Sequence, residues 1–174
     1  MGKKIGIMMG ALGLIFALTF YMNRSEPVYG NNKDSIVQVI QAIEGYEDKK
    51  IELLKVKDFD DVRVAGFLSN DQPSYITFQK NEEGNYVWNY IEFREDESFS
   101  MFLPLVGSEK KILFITNRKN EIAEIQVDIN GNTLKQEFPS QEATVTSVDL
   151  PESDDYEFRN YTYFDEEGKE IQRD

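Results

Sequence analysis

Three patterns of hydrophobic and polar positions follow one another along the chain. Residues 5–22 are an uncharged apolar run, with Lys3 and Lys4 before it and Arg24 after it. At 18 residues the run reaches the lower edge of what crosses a bilayer core as a helix. Tyr21 stands where an interfacial aromatic belongs, and Arg24 is placed to snorkel to the headgroups. A polar stretch with Pro27 and Gly30 follows, so residues 26–33 read as a short tether between this segment (1–25) and the rest (34–174). The helical period then appears once. Ile36, Val37, Ile40 and Ile43 mark one apolar face. Ser35 sits three residues before Gln38, the capping-box spacing, and Gly45 is a plausible stop.

From Ile51 the period is two. Strands are expected over 51–57, 62–68, 75–80, 86–94, 99–103, 112–116, 121–129, 133–138, 143–148, 156–164 and 169–172. The connections carry turn chemistry: Asn81-Glu82-Glu83-Gly84, Asn117-Arg118-Lys119-Asn120, Asn130-Gly131 and Asp165-Glu166-Glu167-Gly168. Short connections favour antiparallel neighbours in sequence order. The fold class is therefore α+β and mainly antiparallel β: a short amphipathic helix, then a meander of about ten short strands in one domain. The clearest alternation puts Ala123, Ile125, Val127 and Ile129 inward. Tyr86-Val87-Trp88-Asn89-Tyr90-Ile91 is apolar on both faces, which predicts a central strand and a largely buried Trp88.

The first segment admits two readings. A signal-anchor stays in the membrane; a secretory signal is cut, which asks for small residues at the third and first positions before the cut. Ala17-Leu18-Thr19 lies inside the apolar run, and Val28-Tyr29-Gly30 follows Pro27 and charged residues, so retention is favoured. With Lys3 and Lys4 inside, the positive-inside rule leaves the N-terminus cytoplasmic and the remainder extracellular, or secreted if the signal is cut. Gly6 and Gly10 have the spacing that brings two such helices together.

Charge narrows the choice of partner. Lys plus Arg number 19 against 32 Asp plus Glu, a net of −13. From Ser25 onward the balance is 16 against 32. Such a surface argues against nucleic acid, whose phosphates demand basic residues. The chain has neither Cys nor His. Disulfides, thiolate nucleophiles, His-based triads and His- or Cys-ligated metals are thereby excluded, and no cofactor is expected.

The remaining chemical candidates are few. Ser108-Glu109-Lys110-Lys111 has Ser-x-x-Lys spacing, but in a charged turn and without partner motifs. Glu92 and Glu95 are the best of the carboxylates for acid–base work, which needs a desolvated site. Asp128-Ile129-Asn130-Gly131-Asn132 and Glu152-Ser153-Asp154-Asp155 suggest calcium only loosely, because the first lacks a closing bidentate Glu and the second is a bare cluster, so no specific metal is expected. Asn23-Arg24-Ser25 and Asn160-Tyr161-Thr162 fit the short glycosylation pattern. Tyr86, Trp88 and Tyr90, continued by Glu92 and Arg94, alternate along one strand. An aromatic face beside a carboxylate stacks on sugars or flat partner surfaces, or else is core.

Asp61-Val62-Arg63-Val64-Ala65-Gly66-Phe67 and Tyr75-Ile76-Thr77-Phe78-Gln79-Lys80, with Gly84-Asn85-Tyr86 after them and a Lys-Lys membrane segment and one helix before, carry a resemblance. In this order of features the chain resembles small membrane-anchored extracytoplasmic proteins of Bacillus-like Gram-positive bacteria. The resemblance is one of architecture and implies an extracytoplasmic anchored module held by its helix. Together these readings lead to the expectation of a non-enzymatic domain, tethered through residues 5–22, that binds another surface protein. Wall glycan held by Tyr86, Trp88, Tyr90 and Glu92 is the alternative, and a small carboxylate-based hydrolase stands behind it.

Overall fold

The computed structural model describes residues 28–107 and 109–173. The apolar run at 5–22 lies outside them, and among the described residues no helix is long and apolar enough to cross a membrane. The one described helix, α1, spans Lys33–Gln41. It starts earlier than the Ser35 signal suggests, because Asn32 is the cap. The Asn32 Oδ1 accepts from the Ser35 amide at 2.9 Å, and the Ser35 Oγ accepts from the Asn32 amide at 3.0 Å. Ser35 thus fills the reciprocal position usually taken by Glu or Gln. Ile36, Val39 and Ile40 are buried.

Among the described residues twelve strands form three antiparallel sheets. In chain order they are β1 Ile51–Phe59, β2 Val62–Ser69, β3 Gln72–Lys80, β4 Tyr86–Phe93, β5 Phe99–Phe102, β6 Leu105–Val106, β7 Glu109–Thr116, β8 Glu124–Ile129, β9 Asn132–Glu137, β10 Thr144–Asp149, β11 Phe158–Phe164 and β12 Glu170–Ile171. The first sheet is the expected meander, β1-β2-β3-β4. The second runs β10-β7-β5, with β6 also on β7, and the third runs β12-β11-β8-β9.

The meander therefore breaks after β4 and again at residues 117–120, which do not close a hairpin. Asn117 and Asn120 are buried. The Asn117 amide nitrogen donates to the Asp71 carbonyl at 2.7 Å, and both amide atoms of Asn120 bond Ile122 backbone. These inward bonds fix the loop against the end of the first sheet and send the chain on to the third. Asn130-Gly131 does close the hairpin between β8 and β9, with both residues at positive φ (50° and 81°), as a two-residue turn of matching twist requires.

The layers stack as helix, sheet, sheet, sheet. Residues alternate along β2: Ala65 and Phe67 meet α1, whereas Val64 and Leu68 meet Leu113, Ile115 and Val145 of the second sheet. A Cβ on Gly66 would stand 2.7 Å from a Val145 methyl, so the two sheets approach closely where that side chain is missing. Phe99, Ile112 and Phe114 use the opposite face of the second sheet to pack on Ile125, Val127 and Ile129. Four consecutive β7 residues, Ile112 to Ile115, are buried. Each such side chain contributes about 1.5–3 kcal/mol on leaving water.

The central, doubly covered strands are thus β2, β3 and β7, while β4 is an edge. Its apolar run indicated the opposite, because large side chains on both faces look the same in sequence whether covered or not. Nor does the described part of segment 26–33 hang free. The Gly30 amide donates to the Tyr86 carbonyl at 2.8 Å. Asn31 accepts from the Tyr86 amide and bonds Asn85. Arg63 Nη1 donates to the carbonyls of Gly30 and Asn31 at 2.8 and 2.9 Å, while its other donors grip the Asp58 carboxylate. The Arg63–Asp58 pair holds the Asp58 carboxyl below its ordinary range, partial burial opposing the shift.

Candidate functional site

The aromatic strand is divided between two faces. The β3–β4 register pairs Phe78 with Trp88 and Thr77 with Tyr90, leaving Asn89 as an extra residue. Phe78 and Ile76 point toward α1, so Tyr86 and Trp88 share that face. Tyr90 and Glu92 stand across from Thr77 and Tyr75 on the face toward the second sheet. The four residues expected to form one strip are therefore split into two pairs by the bulge. Asn89 turns to the second face, where its Oδ1 accepts from the Thr77 hydroxyl at 2.5 Å. Bulges re-aim side chains in this manner and are frequent beside functional sites.

On the α1 face Tyr86 is buried over the Arg63 guanidinium, whose carbon lies 3.9 Å from the ring centre. Trp88 is not buried but 43 % exposed. Tyr86 and Ile91, on either side of it along the strand, pack in the α1 cluster, which the Trp88 ring does not join. Phe93 is also exposed on this face, and Val87 on the opposite one. Phe93 rests edge-on against Tyr46, with the Lys49 ammonium 4.5 Å above it.

On the opposite face lies a groove of about 690 Å³. Its floor is β5 and the residues after it, Met101 to Leu105, and one wall is β3–β4. The far wall is β11, where a second bulge occurs: the register jumps from Arg159 opposite Asp128 to Thr162 opposite Gln126. Asn160 takes a left-handed φ of 53°, and its amide donates to Asp128 at 2.7 Å. Tyr161, exposed, then lines the groove with Phe158. Each wall thus carries an asparagine at a bulge and a tyrosine directly after it.

Glu92 is the polar centre of this groove. Arg94 Nη2 lies 2.7 Å from one carboxylate oxygen, and the Tyr90 hydroxyl donates to the other at 3.2 Å. Tyr75 is buried beneath. Burial first, then the Glu92 charge, raises the Tyr75 hydroxyl above its ordinary value; Tyr90 is raised for the same two reasons, and Tyr161 by burial. All three remain protonated hydrogen-bond donors across the neutral range.

The other candidates do not converge on this groove. Glu95 is exposed and lies past the end of β4. Ser108 lies outside the described residues, and Lys111, three positions on, is buried and paired with Asp149. The Asp128 carboxylate accepts from Thr133 and Asn160, which hold its pKa down and tie it to the β8–β9 hairpin and the β11 bulge. Glu152, Asp154 and Asp155 are exposed, and no group of three or more metal-ligating side chains converges among the described residues. The sequence reading did not pick out Tyr161, Phe158, Leu103 or Leu105. A shared signal existed: in both Trp88-Asn89-Tyr90 and Arg159-Asn160-Tyr161 an asparagine interrupts an aromatic strand. No protein-family model, curated protein or solved structure matches the chain.

Proposed function

We propose that this chain is a non-catalytic binding domain, tethered at the outer face of the cell membrane through residues 5–22, that takes an extended segment of another surface protein along β4. The carrying observation is the edge beyond Tyr86, where Gly30 and Asn31 bond the strand: Val87, Trp88 and Phe93 stand exposed, with no strand neighbour beyond them among the described residues. An open edge offers backbone donors and acceptors, and exposed side chains of alternate direction supply pockets for a partner's residues. The Asn89 bulge restricts pairing to a segment that matches its kink, which limits indiscriminate edge-to-edge association. The net charge of −13 favours a partner segment with basic residues among its apolar ones.

Glu92 serves this reading as a structural hub, bonded to Arg94 and Tyr90 rather than poised for proton transfer. Peptidoglycan, ester and phosphate hydrolysis assays with the Glu92→Gln and Glu95→Gln variants test that part; turnover lost about a hundredfold in either variant, the scale of a true acid–base residue, would make it an enzyme. The docking itself is tested by placing a photo-crosslinking residue at Trp88, and at Lys135 on β9 as a control, in the full chain in cells. A discrete adduct from position 88, absent from 135 and lost with Val87→Lys, is expected. Equal labelling at both positions, or none at 88, removes the edge from consideration.

A further inference from the structure

The groove on the other face of β4 is a separate surface, and its chemistry points to a different ligand. Among the described residues, the only charged ones lining it are Glu92 and Arg94, which neutralise each other at 2.7 Å. In a chain with a net charge of −13, a neutral lining selects neither a cation nor an anion. The polar groups are of the kind that read hydroxyls. Arg94 lines the groove half exposed and uses one terminal nitrogen on Glu92, so its guanidinium keeps further N–H donors. The Asn89 side chain spends its oxygen on Thr77, and its Nδ2 makes no bond among the described residues. The hydroxyls of Tyr75, Tyr90 and Tyr161 donate and accept.

Rings stand beside these groups. Tyr90 is 50 % exposed and Tyr161 42 % exposed, and each is presented by its own bulge from an opposite wall. Exposed aromatic faces next to donor–acceptor pairs suit the C–H face and the hydroxyl edge of a pyranose ring together. The volume of about 690 Å³ lies within the ~300–1,000 Å³ of small-ligand sites. An acyl chain would leave the spare Arg94 N–H groups and the Asn89 Nδ2 without partners on burial, a penalty the sugar avoids.

We propose that this groove binds an uncharged hexose or N-acetylhexosamine oligosaccharide, gripped between Tyr90 and Tyr161 and hydrogen-bonded by Asn89, Glu92 and Arg94. The site is distinct from the docking positions Trp88 and Phe93, which point to the opposite face. It differs from a stack along Tyr86, Trp88 and Tyr90, which the bulge prevents.

The test is calorimetric titration of the full chain in phospholipid nanodiscs, free of sugar detergents, with chitotriose, cellotriose and maltotriose. At least one should bind. Tyr161→Ala and Arg94→Ala should each weaken it about tenfold or more. Tyr90→Phe, which keeps the ring and removes the hydroxyl, should weaken it less. Trp88→Ala should leave it unchanged, and unaltered Trp88 emission in the groove variants checks that they are folded. Absence of heat with all three sugars overturns the proposal, as does saturable heat from sodium oleate or an uncharged extended decapeptide with none from the sugars. Binding that survives both Tyr161→Ala and Arg94→Ala overturns the assignment to this groove. Loss of sugar binding in Trp88→Ala, without loss in the groove variants, moves the site to the edge.

Discussion

Trp88 is the single tryptophan of the chain, and its half-covered position on β4 leads to a quantitative expectation. A large aromatic ring buries up to ~250 Å² when fully enclosed. At 43 % exposure a little over half of that is withdrawn from water, roughly 140 Å², or about 3.5 kcal/mol at ~25 cal/mol per Å². The alanine that replaces it keeps part of this burial, and the unfolded chain already hides ~10–40 % of its apolar area. The net loss for Trp88→Ala is about 1.5–2.5 kcal/mol. No enclosed cavity is left, so the ~3–5 kcal/mol of a buried Trp→Ala change is not reached. Urea denaturation followed by circular dichroism gives this number from the midpoint shift at constant slope. In parallel, emission of the folded wild type should be red-shifted and quenched by acrylamide. A loss above 4 kcal/mol together with blue-shifted, protected emission would refute the edge position of β4 and the docking surface with it.

Three further outcomes follow from local geometry. Gly30→Ala should destabilise by about 1–3 kcal/mol, the usual range for overpacking, because its Cβ would stand 2.3 Å from the buried Phe78 ring; a thermal midpoint equal to wild type contradicts the docked N-terminal segment. Asn160→Ala should cost about 1–2 kcal/mol for a left-handed φ, whereas Asn160→Gly should lose only the Asp128 bond; equal stability of the two variants argues against the β11 bulge. Asp58 is held below its ordinary pKa by Arg63, so its stabilisation is complete above the ordinary aspartate value and fades as pH falls through the lowered one. Asp58→Asn should therefore be less stable than wild type at pH 7, by no more than about 1 kcal/mol for so exposed a carboxylate, with the gap closing below about pH 4; a gap that widens in acid reverses the assignment.

How far the chain could be read in advance depended on whether a feature was local. The first four strands, their turns and the Asn130-Gly131 hairpin are written in alternation and turn residues, and they form as expected. Residues 117–120 do turn, the Asn117 Oδ1 accepting from the Lys119 amide, but Asn117 and Asn120 also bond the backbone of Asp71 and Ile122, so the turn leads to another sheet rather than closing a hairpin, and this depends on which sheet stands nearby. The same limit governed the site. Strict alternation put Tyr86, Trp88, Tyr90 and Glu92 on one face, and a single extra residue, Asn89, reassigns the last two. Tyr161 joins Tyr90 across more than 70 positions of sequence, a closure that no periodicity encodes.

The shared strand β7 also sets a clock. Its residues supply side chains to two apolar layers at once, yet its partners β5 and β10 are far apart in the chain, and Thr116 waits for Thr144. Until β10 has been made and returned, one edge of β7 stays open and the layer above it has no wall. Domains dominated by such non-local pairings fold in the millisecond-to-second range. For a chain emerging from a ribosome or a translocation pore, that interval is when Ile112 to Ile115 lie uncovered, and it is the stage at which a holding chaperone would matter most.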